Sequence, residues 1–416
     1  MSPAIGTTQS ADPAASPAAI AMGPAEPATR EPTLDAMRGF AVLGIMVVNI
    51  HFLLAAGSVP PFGGLDGGDG TSPHNRLIVL LTTWLAMGKF MPALAMLFGA
   101  GAAVLADRAA GRGVEPQALL RRRYRWLAAI GLVHMVFLFP GDILFAYGIA
   151  GLVLVRSLHL SPRSMLKRAA VLLAVGTTLF ATLLGSLTWV MRQPDLADSI
   201  AQQEARAAAV YGSGTYFDIV RLHAADTPGM IAMGALMLPW TLSLFLAGAA
   251  VARTGFVTTP AAFSTALRRA ATIGLGAGLP LNLAVALVTT SSGESPGIGA
   301  TLLASGLVSV AGPLLATGYL ASLALFCIRR GPNAPLVGVG RMALTAYLFQ
   351  SVVMLVAVAG ARLHGRLDAA GSLLIVAATW AVLLAGCPLW LRRFRFGPAE
   401  WLWRSLTYRR REPTRT

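Results

Sequence analysis

Long apolar segments separated by short polar ones are the feature that most constrains this chain. A helix needs about 20 residues to cross the ~30 Å hydrocarbon core of a bilayer, and ten segments reach or approach that length. Only 12% of the 416 residues are charged, against about 25% in a soluble domain. The sequence therefore predicts an all-α, polytopic membrane helical bundle. The ten predicted spans are residues 39–56, 90–106, 126–139, 143–155, 169–191, 230–251, 270–290, 298–328, 342–360 and 371–391.

Several connections between the spans carry signals of their own. The third and fourth spans are short, and Pro140-Gly141 between them is typical of a tight turn, so they are predicted to form a helical hairpin. Residues 75–88, ahead of the second span, are predicted to form an interfacial helix. The long outer loop at 192–229 contains a helical-looking run at 195–211 that ends at a glycine-rich break.

The distribution of basic residues predicts the orientation of the chain. With the N-terminus inside, 26 of the 33 Lys and Arg residues fall in cytoplasmic segments and seven fall outside. Cytoplasmic loops of membrane proteins carry such an excess, so both termini are predicted to be cytoplasmic. The net charge of +15 is then an orientation signal that also attracts anionic headgroups of the lipid bilayer. A nucleic-acid partner is not predicted.

Composition divides the chain into three parts. Residues 1–33 are rich in Ala, Pro and Ser and are predicted to be a disordered cytoplasmic tail. Residues 34–396 form the predicted transmembrane bundle. Residues 397–416 mix tryptophans with arginines, which is typical of an amphipathic segment anchored on the inner leaflet.

Cysteines and histidines give no indication of a metal site. The two cysteines, Cys327 and Cys387, lie in separate apolar segments, and the six histidines contain no pair at ligand spacing. We therefore predict neither a disulfide framework nor a bound metal.

The first apolar segment carries polar residues where they are costly. Eleven residues separate Arg38 from Asn49, which is about three helical turns plus ~20°, so both lie on one stripe of the helix. A buried amide needs a partner inside a membrane, so Asn49 is expected to face protein or trapped water. An interhelical hydrogen bond that only holds helices together is the alternative. His51 lies roughly 200° further round and faces elsewhere.

The predicted hairpin carries two more costly groups at a similar depth on the outer side. His134 lies six residues before the Pro140-Gly141 turn, and Asp142 lies at the turn itself. Ionisable groups within membrane spans usually line a cavity or a pathway. The alternatives are a packing histidine for His134 and a helix N-cap for Asp142. Asn49, His51, His134 and Asp142 are accordingly the candidate catalytic residues.

Five runs spread along the chain form a specific combination. Together they resemble the YeiB-like bacterial membrane proteins, whose shared domain is of unknown function, and the likeness extends over residues 34–408. The resemblance implies a multi-pass protein of the bacterial inner membrane. The runs are LDAMRGFAVLGIMVVNI, KFMPALAMLFGAGAAVL, GLVHMVFLFPGDILFAYGI, GRMALTAYLFQS and GPAEWLWRSLTY.

That family is similar to a wider set of membrane acyltransferases, which include bacterial sugar acetylators and the lysosomal enzyme that acetylates heparan glucosamine. The resemblance implies transfer of an acyl group from a cytoplasmic donor, such as acetyl-CoA, to a small-molecule or glycan acceptor outside. The sugar acetylators carry a catalytic histidine eleven residues after an Arg-Gly pair, and Asn49 occupies that position here. An asparagine cannot act as a base, so either His51 or His134 takes that role or the chemistry is absent. The heparan-modifying branch carries an asparagine at a similar place.

In an enzyme of this kind, Asn49 would orient the acceptor or stabilise an oxyanion, while His134 and Asp142 would be the base and its orienting partner. Arg38 and Arg341 on the inner face would bind the anionic donor. Two other functions fit the same sequence: a small-molecule transporter or exporter, and a membrane scaffold without a ligand. A transporter built on inverted repeats would show two similar halves, and this sequence shows none.

Overall fold

The computed structural model describes residues 31–54, 72–190, 192–257, 259–290 and 297–415, and its named elements are all helices. The all-α prediction is confirmed for this part of the chain. The predicted disordered tail lies outside the described residues except at its end, which from Pro32 onward already belongs to the first helix. In chain order the helices are α1 Pro32–Leu54, α2 Pro73–Leu85, α3 Phe90–Ala110, α4 Pro116–Phe137, α5 Leu144–Leu154, α6 Pro162–Val190, α7 Pro194–Ser213, α8 Tyr216–Leu236, α9 Leu238–Val251, α10 Ser264–Thr290, α11 Ile298–Arg330, α12 Ala334–Arg341, α13 Ala343–Leu355, α14 Ala369–Leu391 and α15 Pro398–Tyr408.

Seven helical segments in the described chain are long and apolar enough to cross a membrane. They are α1, α2 with α3, α6, α10, α11, α13 with its extension to Gly360, and α14. The bent pair of α8 and α9 raises the number to eight. The two further predicted spans are α4 and α5; α5 has only 11 residues, fewer than the ~20 that a full crossing needs. A polytopic bundle is thus confirmed, while ten crossings and two cytoplasmic termini stay predictions.

The sixth predicted span, residues 230–251, is divided between two helices rather than continuous. The axes of α8 and α9 differ by 53° at Met237. Pro239 lies in the first turn of α9, where its missing N–H costs no hydrogen bond and its ring disfavours a helix running straight through. The bend lets α8 pack against the hairpin α4–α5 while α9 packs against α3 and α6.

Helix α1 lies at the centre of the bundle. In its most apolar window 72% of the residues are buried, against 22% in α6 and 28% in α14. It packs against α3, α12, α13 and α14. Small residues let other pairs of helices pack closely as well. A Cβ at Gly99 of α3 would lie 1.9 Å from the carbonyl oxygen of Phe245 in α9. Close packing at Gly99, which its spacing from Ala103 predicts, is therefore confirmed.

The predicted hairpin of the third and fourth spans is confirmed as α4 and α5, joined by residues 138–143. Glycines bring the two helices into backbone contact. A Cβ at Gly148 of α5 would lie 2.6 Å from the backbone nitrogen of Ala128. A Cβ at Gly131 of α4 would lie 2.1 Å from the backbone nitrogen of Phe145. This close contact fixes the position of the hairpin turn relative to α4.

The C-terminal helix α15 docks on the bundle. The Trp403 indole N–H donates to the Arg123 carbonyl oxygen at 2.9 Å, and the Arg122 guanidinium donates to the Thr407 carbonyl oxygen at 3.0 Å. The opposite side of the helix is open, with Leu402 46% exposed. Contact of that side with the inner leaflet remains a prediction.

Candidate functional site

His134 and Asp142, the two predicted site residues of the hairpin, are hydrogen-bonded to each other. His134 Nδ1 lies 2.8 Å from Asp142 Oδ1, and the two side chains are 1% and 0% exposed. The other carboxylate oxygen accepts the backbone N–H of Phe145, in the first turn of α5, at 2.6 Å. Asp142 is therefore both the N-terminal cap of α5 and the partner of His134.

Ser351 of α13 completes this group from a distant part of the sequence. Its hydroxyl oxygen lies 2.8 Å from His134 Nε2, and the residue is 1% exposed. The Ser351 hydroxyl also lies 3.3 Å from the carbonyl oxygen of Tyr347, one turn earlier in α13. Sequence reasoning missed Ser351, although it stands in the run GRMALTAYLFQS.

Hydrogen-bond roles within Ser351, His134 and Asp142 follow from their chemistry. A carboxylate only accepts hydrogen bonds, so the proton of a neutral imidazole lies on Nδ1, toward Asp142. With the imidazole neutral, Nε2 of His134 accepts the hydrogen bond of the Ser351 hydroxyl, whose other possible acceptor is the Tyr347 carbonyl oxygen. This is the arrangement of a nucleophile, a general base and an orienting acid.

A cavity of about 240 Å³ lies at the end of the bundle where α15 docks, which is the predicted cytoplasmic side. Arginines dominate its polar wall, and α15 contributes one of them. Arg38 and Arg341, the predicted donor-binding residues, are both in the lining. The charged lining residues are Arg38, Arg108, Arg123, Arg341 and Arg404, with Glu31, Asp35 and Glu400.

Two glycines place Arg38 and Arg341 on the same wall. A Cβ at Gly39 would lie 2.2 Å from a carbonyl oxygen of α12, and one at Gly340 would lie 1.7 Å from a carbonyl oxygen of α1. Only glycine permits this contact, so each arginine beside a glycine is fixed where α1 meets α12. Arg38 is also held by Asp35, whose carboxylate oxygen lies 2.9 Å from its guanidinium.

Tyr347 connects the cavity to the Ser351–His134–Asp142 group. Its side chain lines the cavity, and its ring centroid lies 5.0 Å from that of His134. The Tyr347 hydroxyl has no hydrogen-bond partner among the residues that the structure describes. Tyr347 therefore belongs both to the cavity wall and to the surroundings of the buried His134 and Ser351.

Asn49 and His51 are both buried, at 9% and 6% exposure, but they lie on opposite sides of α1. Asn49 follows Val42 by seven residues, so it lies within ~20° of Val42 on the helix, and Val42 and Arg38 line the cavity. His51 faces away, and its Nε2 has no partner within the described chain. Both ring nitrogens of His134 are taken by Asp142 and Ser351, so neither Asn49 nor His51 is a direct partner of that imidazole.

Glu400 of α15 ties the cavity wall to the start of α13. Its carboxylate accepts the backbone N–H groups of Leu344 and Thr345 at 2.6 and 3.0 Å and the Thr345 hydroxyl at 2.5 Å. Burial raises the pKa of Glu400, against the effect of these hydrogen bonds. Burial likewise lowers the pKa of Arg404, one turn later in α15. The docked α15 thus contains one buried carboxylate, Glu400, and one half-buried guanidinium, Arg404.

Metal binding finds no support in the part of the chain that the structure covers. No group of three or more His, Cys, Asp or Glu side chains there could hold a metal ion. Cys327 and Cys387 are separate, buried and free.

Comparison with known proteins gives matches to uncharacterized bacterial proteins. The family described as "Protein of unknown function (DUF418)" matches residues 251–410. The chain is 30% identical over 403 residues to the uncharacterized protein YeiB of Escherichia coli (strain K12), covering 92% of this chain and 98% of YeiB. It is 29% identical over 399 residues to the uncharacterized protein YxaH of Bacillus subtilis (strain 168), covering 90% and 93% of the two chains. No solved structure matches.

Proposed function

The chain belongs to the YeiB family, and we propose that it transfers an acyl group across the bacterial inner membrane. The donor is an anionic acyl carrier such as acetyl-CoA, bound on the cytoplasmic side. The acceptor is a hydroxyl or amine of a small molecule or glycan on the outer side.

One observation carries this proposal: a buried, hydrogen-bonded His134–Asp142 pair lies against Tyr347, which lines an arginine-rich cavity. Isolated ionisable groups are costly inside a membrane bundle and mark functional sites. A histidine held by a carboxylate on one nitrogen and facing a hydroxyl on the other is arranged for proton transfer. Paired Asp and His side chains also form proton relays in transporters, so it is the Ser351 hydroxyl on the second ring nitrogen that favours an enzyme here.

The cavity supports binding of a donor that carries phosphate groups. Five arginines and three carboxylates line it, so its wall is positively charged. Arginine guanidinium groups bind phosphates through paired hydrogen bonds. The lining also includes apolar side chains, among them Val42, Leu127 and Leu144, which suit the thin acyl-bearing arm of such a donor.

The α4–α5 hairpin provides the groups for the chemical step. His134 accepts a proton from the attacking hydroxyl or amine, and Asp142 stabilises the imidazolium that forms. Asn49, on the same stripe of α1 as Arg38 and Val42, orients the acceptor or stabilises the oxyanion. His51 points away from this stripe, and we assign the role of base to His134 instead.

Purified protein in proteoliposomes, supplied with labelled acetyl-CoA and a membrane extract as the source of acceptors, tests the proposal. We expect release of free CoA and labelling of the extract. His134→Gln and Asp142→Asn should lower the rate by about 10²–10⁴-fold, the usual contribution of general-base catalysis. His74→Gln is the matched control, because the His74 side chain is 65% exposed and should keep the rate.

Two outcomes would contradict the proposal. Wild-type rates in both His134→Gln and Asp142→Asn would exclude the site. Wild-type protein that turns over neither acetyl-CoA nor longer acyl-CoA thioesters, but exchanges a solute across the vesicle membrane in counterflow, would exclude the enzyme.

A further inference from the structure

We propose that Ser351 is the nucleophile of the reaction and carries the acyl group between the two sides of the membrane. The inference rests on the acyl transfer proposed above and adds a covalent intermediate to it. The wild-type protein would then work in two half-reactions, with an acyl-serine between them.

Geometry singles out Ser351 among the serines of the bundle. Its hydroxyl lies 2.8 Å from His134 Nε2, and His134 Nδ1 lies 2.8 Å from Asp142 Oδ1. A serine whose proton can pass to an imidazole, which is itself oriented by a carboxylate, is an activated nucleophile. Ser305 is also buried and, like Ser351, lies within hydrogen-bond distance of a carbonyl one turn earlier in its own helix, but no imidazole in the described part of the chain is its hydrogen-bond partner.

Ser351 is also placed between two routes of access. One turn before it on α13, Tyr347 forms part of the wall of the arginine-lined cavity. The Phe139 ring is a second neighbour of His134, with its centroid 6.3 Å from that of the imidazole and 6.5 Å from that of the Phe52 ring near the end of α1. The acyl donor reaches Ser351 when the Tyr347 ring moves, and the acceptor approaches from the side of Phe139.

The first half-reaction forms the acyl-serine. Ser351 Oγ attacks the carbonyl carbon of the thioester, and its proton passes to His134 Nε2. The tetrahedral intermediate then breaks its carbon–sulfur bond, and the leaving thiolate takes the proton from His134. The products are acyl-Ser351 and the free thiol, with His134 neutral again.

The second half-reaction releases the acyl group to the acceptor. The acceptor hydroxyl or amine attacks the ester carbon of acyl-Ser351 and gives its proton to His134 Nε2. The bond from carbon to Ser351 Oγ breaks, and the serine oxygen recovers the proton from His134. No redox step and no further reactant is needed, and the donor and acceptor never have to meet in one cavity.

Isotope exchange in the absence of any acceptor tests the acyl-serine directly. Wild-type protein in proteoliposomes, given acetyl-CoA and labelled free CoA, should exchange label between the two through the first half-reaction and its reverse. Ser351→Ala should lose this exchange by at least about 10³-fold, as nucleophile removal does in serine hydrolases. Ser305→Ala is the matched control and should exchange at the wild-type rate.

A second variant keeps the test valid if Ser351→Ala folds poorly. Ser351→Cys retains a nucleophile, and after incubation with acetyl-CoA it should hold one acetyl group as a thioester at position 351, found by peptide mass spectrometry. Wild-type protein should hold the acetyl group as an ester at the same residue.

The outcomes separate the two proposals. If wild-type protein acetylates acceptors but shows no exchange, or if Ser351→Ala transfers at the wild-type rate, the acyl-serine is wrong and direct transfer by His134 stands. An acetyl group found on another residue also overturns the role of Ser351. If acyl-CoA is not turned over at all, the proposed function itself fails.

Discussion

The absence of a side chain at Gly131 is what allows His134 and Asp142 to meet. A Cβ there would lie 2.1 Å from the Phe145 backbone nitrogen and 2.7 Å from Asp142 Oδ2. Both contacts are too short for a real methyl group, so α5 would have to move away from α4. Because Asp142 caps α5, the carboxylate would move with it and away from the imidazole.

Gly131→Ala should therefore lower both stability and activity. We expect a loss of about 1–3 kcal/mol in unfolding free energy, the usual cost of overpacking, measured by denaturation in mixed detergent micelles. Acyl transfer should fall with it. Gly276→Ala is the control, because nothing lies within 4 Å of a Cβ at Gly276; there the better helix propensity of alanine should stabilise by up to about 1 kcal/mol. Equal behaviour of the two variants would contradict the close contact at Gly131.

Among individual residues, the sequence predicts some members of the site and gives no signal for others. His134 and Asp142 could be paired in advance because they flank a Pro-Gly turn within eight residues. Ser351 could not, because it lies 217 residues from His134 and serines are common in membrane helices. The burial of Lys89, which lies outside the site, was not predictable either. A lysine beside a span is typical of an interfacial residue, yet Lys89 is 1% exposed and its ammonium group donates to the Thr83 carbonyl oxygen at 2.9 Å.

Helix α15 shows how an element outside the predicted spans completes a site within the bundle. It supplies Trp403, Arg404 and Tyr408 to the cavity wall, and Glu400 fixes it to the N-terminus of α13. Burial raises the pKa of Glu400 from its ordinary value of 4.5. Folding therefore favours the protonated carboxyl, and the contribution of Glu400 to docking is complete below about pH 4.5 and declines as the pH rises through the raised pKa.

Docking of α15 should accordingly weaken with rising pH in wild-type protein but not in Glu400→Gln. The glutamine carbonyl can still accept the Leu344 and Thr345 N–H groups and has no charge to bury. We expect the tail to become more sensitive to trypsin as the pH rises above 4.5, at the arginines after Tyr408, only in wild-type protein. Glu400→Ala should release the tail at every pH. A pH profile unchanged by Glu400→Gln would show that another group controls docking.

The ends of the helices were predictable where the polarity of the sequence changes abruptly. They were less predictable where packing against other helices determines them. The spans at 298–328 and 371–391 correspond to α11 and α14, which begin and end within two residues of those limits. The bend between α8 and α9 was not predicted, because an apolar run that contains Pro239 reads as continuous. The docking of α15 on α4 also depends on Trp403, whose inward position no local pattern reveals.

The helices of the whole molecule pack around α1. The orientation of the chain in the membrane was predicted from the distribution of basic residues alone. The two natural cysteines are buried, so single introduced cysteines can report the orientation. Gln203 of α7 and Arg112 of the α3–α4 connection are both exposed and lie on opposite predicted sides. The positive-inside distribution places α7 outside and this connection in the cytoplasm.

A membrane-impermeant maleimide should label Gln203→Cys in intact cells and Arg112→Cys only after the cells are permeabilised. Wild-type protein is the control and should remain unlabelled. The reverse pattern would place the arginine-lined cavity on the outer side and exclude a cytoplasmic donor. This cavity was beyond sequence prediction, since its charged wall combines α1, α3, α4, α12 and α15.

A cryo-EM structure with a non-hydrolysable acetyl-CoA analogue tests most directly whether the hairpin histidine acts on a donor bound in this cavity. We expect the phosphates against Arg38 and Arg341, the Tyr347 ring displaced, and the acyl carbon within about 3.5 Å of the Ser351 hydroxyl oxygen, the distance of a reactive contact. An analogue bound outside the cavity, or bound there with its acyl end directed away from Tyr347, would contradict the proposed reaction.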